Sequence, residues 1–311
     1  MNADSAYIEP FLYDWVNHLQ EIMKEREQEI INNRNYLIMP CEALTIYIIK
    51  ASTWIANYLG LDHHVKYMAL ELFDKYMNKC FWETYNEKND QSDEWLENFK
   101  KKTCTHVKLY FMSCFQVACK VNSHPNGLRI SQVLEFLHII DKNYEYTRDM
   151  VSSTEIEILK KVGFRMPLYT PVYCIEILLA AINFLKLPFN GSIKPIEPRE
   201  KLFTISMQLL DLAYLKHEKL YYHFQLYLEI KNPSMCNEEK ELRLTILKSN
   251  ALFLSATIVL CTRYILYPSI SDTADKIVIV NLAKLANAMD TDVIIMANIL
   301  FQIIIYERKR E

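Results

Sequence analysis

Apolar positions recur along most of this chain at intervals of three and four residues, the period of helices that turn one face to a core. Trp15, Leu19, Ile22 and Met23 set an amphipathic helix near the N-terminus. Asn32–Tyr36 reads as a polar turn. Pro40 suits the first turn of a following helix over Cys41–Leu59, which Gly60 ends. Asp62 is placed to cap a helix over His63–Lys79. Phe81–Lys102 is polar and charge-rich, and predicts a loop insertion with a short helix around Glu94–Lys101. His106–Val121 is strongly apolar and predicts a central helix. His124-Pro125-Asn126-Gly127 is a turn signature. Shorter helices follow from Ser131 to Ile140 and from Ser152/Ser153 to Gly163, and Thr170-Pro171 opens another to about Leu185.

Leu187–Pro198 holds three prolines and a glycine and reads as a connector. Beyond it the pattern predicts helices over Arg199–Leu215, Glu218–Lys231, Glu238–Leu266, Thr273–Met289 and Asp292–Glu307, with Pro268, Asp272 and Asp290 as boundary signals. About five helices, a connector and five or six more suggest a duplicated unit. Leu72-Phe73-Asp74 returns as Leu209-Leu210-Asp211, 137 residues on. Phe111-x-Ser113-x3-Val117-x-Cys119 returns as Phe253-x-Ser255-x3-Val259-x-Cys261, 142 residues on. The offsets agree within one change of loop length, so the fold class expected is all-α, with two copies of one helical unit.

Composition narrows the functions. The 311 residues are 51% apolar, enough for one large or two ordinary cores, and 23% charged, near the globular average. The net charge of −3 offers none of the basic excess of a nucleic-acid surface, so no direct nucleic-acid binding is expected. The four glycines, Gly60, Gly127, Gly163 and Gly191, are scattered, whereas phosphate-cradling loops need them clustered. The eight cysteines (Cys41, Cys80, Cys104, Cys114, Cys119, Cys174, Cys236 and Cys261) form no CxxC pair and read as reduced core residues. Met1–Pro10 carries acids and no apolar run, so no signal peptide is expected. Ala251–Thr262 and Val293–Tyr306 are apolar but fall short of the ~20 residues a membrane span needs.

Several motifs are then recognisable. Tyr67–Met77 (YMALELFDKYM), Phe115–Lys120 (FQVACK) and Thr154–Phe164 (TEIEILKKVGF) resemble the second-, third- and fifth-helix signatures of the cyclin box. Arg165–Pro171 (RMPLYTP) resembles the exit into a second box, and the motifs occur in cyclin order. The resemblance implies two tandem five-helix cyclin-box domains: an N-terminal helical extension over 1–39, a first box over 40–168 and a second cyclin-like domain over 169–311. Leu209–Tyr221 (LLDLAYLKHEKLY), with the GFRMPLYTP exit, resembles the branch of the family that acts in meiotic crossover maturation. It implies a non-catalytic regulatory protein without cofactor or metal. It also implies a cyclin-dependent kinase as partner, meiotic recombination proteins as further partners, and a place on meiotic chromosomes in the nucleus, with the cytoplasm as a second location. A cyclin-fold scaffold that activates no kinase, or a transcription-type cyclin, are the alternative readings.

In the family, a third-helix lysine and a fifth-helix glutamate anchor the kinase. Here the resemblance assigns those roles to Lys120 and Glu155. From the residues alone, Lys120 near a helix C-terminus and Glu155 near a helix N-terminus equally suit the helix dipoles, as an ordinary ion pair. In the second copy the matching positions fall on Thr262 and near Ala297, so the pair belongs to the first copy only. The first cyclin helix usually carries Met-Arg-Ala-Ile-Leu-x-Asp-Trp; here the stretch is Leu44–Ala51, without the Arg, Asp and Trp. Docking of Arg-x-Leu segments is therefore expected to be weak or absent, and Trp54 is expected on a different face.

The remaining candidates weigh less. His63-His64 project about 100° apart on a helix and have no third ligand near in sequence. His217-Glu218 lacks the second His of a zinc-protease motif. Tyr214, Tyr221, Tyr222 and Tyr227 read as core and groove lining, and Lys100–Lys102 as a solvated face. No catalytic set stands out.

Overall fold

A computed structural model describes residues 3–32, 43–87, 93–122, 127–184, 199–231, 233–267 and 272–308. The expected turns at 33–36 and 124–126, the first-turn role of Pro40, the connector at 187–198 and the boundary at Pro268 lie outside them. The described residues form thirteen α-helices and no strand. Contacts gather them into two compact units, residues 36–170 and residues 1–35 with 171–311.

The unit over 36–170 holds five helices: α2 (Ile46–Leu59), α3 (His63–Glu87), α4 (Asp93–Val121), α5 (Ile130–Ile140) and α6 (Arg148–Lys161). Thr45 caps α2, and Gly60, at φ 61°, closes it in the left-handed conformation that only glycine takes without strain. Asp62 Oδ1 accepts from the Val65 amide at 2.8 Å, the expected cap of α3. The central helix is α4, which packs against α3, α5 and α6.

The loop expected over Phe81–Lys102 is mostly helix. α3 runs to Glu87 and α4 starts at Asp93, so the two form a long hairpin. Its apolar content is aromatic and sparse along the sequence but meets in space. Phe81 lies within 5.0–5.9 Å, ring to ring, of Trp82, Tyr85, Trp95 and Phe99. Aromatic rings bury large areas each, so a few of them hold two otherwise polar helices together.

The other unit is built on α11 (Ala251–Leu266), whose residues Leu252–Arg263 are all buried. It packs against α1 (Ala3–Asn32), α7 (Pro171–Phe184), α8 (Arg199–Leu215), α10 (Asn237–Ser249), α12 (Asp272–Leu285) and α13 (Asp290–Arg308). The helix α9 (His217–Lys231) packs on α8, α10 and α13. The N-terminal helix α1 belongs to this unit: Gln20 Nε2 donates to the carbonyls of Lys284 and Leu285 at 2.9 Å, satisfying the last turn of α12. The single helix expected over Glu238–Leu266 is two, bent by 72°. Asn250 makes the break, its side chain accepting from the Phe253 amide at 3.0 Å as the N-cap of α11.

The repeat has a plain physical basis. Phe111, Ser113, Val117 and Cys119 on α4 and Phe253, Ser255, Val259 and Cys261 on α11 are all buried, in the central helix of their units. No single described helix is long and apolar enough to cross a membrane.

Candidate functional site

Lys120 stands in the last turn of α4, where a cation suits the helix dipole. Glu155 does not open its helix. Thr147 caps α6, accepting from the Met150 amide at 3.3 Å, so Glu155 sits two turns in, beyond the reach of the N-terminal dipole. What holds the pair is direct contact, Lys120 Nζ donating to Glu155 Oε1 at 2.5 Å. Glu155 is largely covered, its side chain 14% exposed, while that of Lys120 is 53% exposed. The covered carboxylate is thus anchored by a cation whose remaining N–H donors face solvent.

Exposed apolar side chains flank the pair: Val121 next to Lys120, and Ile156 next to Glu155. Phe164 follows the end of α6 and is 68% exposed. The helix closes in a Schellman turn, Gly163 N donating to Lys160 O at 3.0 Å and Phe164 N to Leu159 O at 2.8 Å. Gly163 takes φ 65° and Phe164 φ 56°. Glycine accepts that conformation freely; a phenylalanine there is strained by about 1–2 kcal/mol. Lys75 Nζ, from α3, donates to Arg165 O at 2.9 Å and holds the turn. The sequence places Phe164 at the end of the fifth-helix signature but does not signal its exposure or its backbone conformation. Gly163 signals a helix end, but nothing local signals a second left-handed residue.

A second cluster fixes α6 from the side of α3. The Tyr76 hydroxyl donates to Glu157 Oε1 at 2.6 Å, and Lys161 pairs with Glu83. The Tyr110 ring of α4 lies 5.1 Å from that of Tyr76. Burial pushes the Tyr76 and Tyr110 phenols and the Cys80 thiol above their ordinary values, so all three stay protonated at neutral pH.

The matching positions of the second copy carry no such surface. Thr262 is fully buried, its hydroxyl 3.0 Å from that of Ser206, and Ala297 is fully buried as well.

On α2 the structure corrects one expectation. Tyr47, Trp54 and Tyr58 are all exposed, and with Ala51 they follow intervals of four, three and four residues, a single helix face. Trp54 therefore shares the face of Ala51. Its ring packs at 5.5 Å on Phe136 of α5, and that of Tyr58 at 5.2 Å. Of the weaker candidates, His63 and His64 lie in the first turn of α3, and His217 in that of α9. Tyr214 and Tyr221 are buried as expected, whereas Tyr222 is exposed.

A five-helix unit around a buried central helix is the arrangement of a cyclin box. Residues 18–167 match the family model described as cyclin, N-terminal domain. Over that stretch the chain carries a cyclin-type N-terminal domain. It is similar to Cyclin N-terminal domain-containing protein 1 of Homo sapiens, at 27% identity over 213 residues, and of Mus musculus, at 28% over 213 residues. Each alignment covers 66% of this chain, which spans 60% of the length of these curated relatives.

Proposed function

We propose that this protein is a non-catalytic regulatory subunit that binds a cyclin-dependent kinase through the surface formed by the end of α4 and by α6. The observation that carries the proposal is the Lys120–Glu155 pair, exposed on its lysine side and bordered by Val121 and Ile156. Lys120 Nζ spends one donor on Glu155 and keeps others for carbonyls of a partner. In kinases a lysine–glutamate pair involving helix αC must close before phosphoryl transfer, so a partner that fixes αC controls activity. Phe164 supplies an apolar anchor at the end of the same helix. Backbone strain held in place at a surface position is the kind of feature that functional contacts retain.

The setting follows from the resemblance of Leu209–Tyr221 and the RMPLYTP exit to the meiotic branch of the family. The protein acts in crossover maturation, on meiotic chromosomes in the nucleus, and recombination proteins are its further partners. The test is co-purification of cyclin-dependent kinases with the wild-type chain and with Lys120→Ala and Glu155→Ala variants. Truncating one side of a partly buried charged contact costs about 2–5 kcal/mol, so each variant should lose tenfold or more in affinity.

A second reading is a cyclin-fold scaffold that binds recombination proteins and activates no kinase. The altered α2 face favours it: without the family's Arg, Asp and Trp, Arg-x-Leu substrates have little to dock on, and Tyr47, Trp54 and Tyr58 present an aromatic surface instead. Kinase activity in the purified complex separates the readings.

A further inference from the structure

The helix α9 exposes Tyr222, Leu226 and Ile230, and Ile230 is 81% exposed. The three are spaced four residues apart and form one ridge about 12 Å long, the row that helices use when they pack ridge into groove. Single exposed apolar residues are ordinary on any surface, but an uninterrupted row along one helix is not. The opposite side of α9 is committed inward, with Leu220, Tyr221, Phe224 and Leu228 buried.

The charge around the ridge is one-sided. Glu218 and Glu229 on α9, and Glu238, Glu239 and Glu241 on α10, are exposed. Four of the five Lys and Arg side chains of these two helices are drawn into contacts within the unit. Lys231 and Arg243 both reach Asp292, at 3.3 and 2.5 Å. Lys219 lies 4.2 Å over the Tyr306 ring, and Lys248 lies 5.4 Å over that of Tyr221. The fifth, Lys240, lies between Glu239 and Glu241 in the sequence of α10. The helix α10 starts at Asn237, six residues after α9 ends at Lys231, so Glu238 and Glu239 in its first turn follow the Ile230 end of the ridge in the chain.

We infer that the α9 ridge is a docking site for an amphipathic helix of a partner protein, with an apolar stripe flanked by Lys and Arg. The stripe packs against Tyr222, Leu226 and Ile230, and the basic flanks meet the acidic rim. The site lies on a different unit from Lys120 and Glu155, and it stands or falls independently of the kinase contact.

The probe is a synthetic helical peptide of about four turns, with leucines at intervals of three and four residues and lysines on both flanks. A counterpart carries glutamates in place of the lysines. Fluorescence anisotropy with the full chain should show the lysine peptide binding at least tenfold more tightly than the glutamate peptide. Leu226→Glu and Ile230→Glu should each weaken it tenfold or more, and Glu229→Lys combined with Glu238→Lys at least threefold. Ile230 is exposed, so its substitution leaves the fold intact, as circular dichroism would check; Ile230→Ala is a milder second variant, expected to lose severalfold. No binding, equal binding of the two peptides, or indifference to these variants overturns the proposal. So does a dimer of the unliganded chain in sedimentation that Ile230→Glu abolishes, because the ridge would then be a self-contact.

Discussion

Lys120 and Glu155, 35 residues apart in the chain, meet at 2.5 Å, with the carboxylate covered and the ammonium still half in water. A pair so placed contributes little to folding, because the solvated lysine gains modest Coulomb energy and loses side-chain freedom. Lys120→Ala should change unfolding free energy by less than about 1 kcal/mol in urea titration. A loss of several kcal/mol would mean that the pair is structural.

Phe164 separates stability from binding. Replacing it by glycine relieves the left-handed strain at φ 56° and removes an exposed ring. Phe164→Gly is expected to leave stability unchanged or raise it by up to about 1 kcal/mol. The same variant should weaken kinase binding severalfold. Thermal denaturation alongside a binding titration checks both halves.

Asp292 is the polar centre of the other unit. Its side chain is 2% exposed and joins Arg243 of α10 to Lys231 of α9, and Lys231 also reaches Thr291 at 2.7 Å. Asp292→Ala strands two cations, though both retain some access to water, so a loss of about 3 kcal/mol is expected in chemical denaturation.

His217 makes stability depend on pH. Its ring is held down to about 4, first by burial and then by Lys248, against a small opposing pull from Glu218. In the unfolded chain the group takes its proton near pH 6.5, and in the folded chain only near 4. Its neutral form costs nothing above pH 6.5. Stability then falls as the pH drops from 6.5 towards 4, by about 2 kcal/mol at pH 5. His217→Gln should remove that part of the slope in urea titrations at pH 7.5 and pH 5.

Much of the fold was readable because its signals are local or periodic. Gly60 and Asp62 end and start helices by their own chemistry. The repeat survives in Phe111/Phe253 and Cys119/Cys261 because both sets fill the interior of a central helix. Phe81–Lys102 reads as a loop because its charges dominate a linear window, while Phe81, Trp95 and Phe99 act only once the chain has doubled back. The bend at Asn250 was hidden inside a continuous apolar pattern. At the candidate site, Lys120 and Glu155 stand out through family signatures and their 35-residue spacing, and the structure brings the two together. The environment of Glu155 does not show in the sequence, because the start of α6 at Thr147 moves it away from the helix end. The Tyr222 ridge lay hidden because tyrosine, leucine and isoleucine read as core until the neighbouring helices are in place.

The most direct test of the kinase-binding account is the amount of cyclin-dependent kinase that co-purifies from germline extract with the wild-type chain and with a Lys120→Ala/Glu155→Ala double variant of equal stability. The account predicts kinase on the wild type and a tenfold or greater loss on the variant. Equal recovery of kinase on both would contradict it.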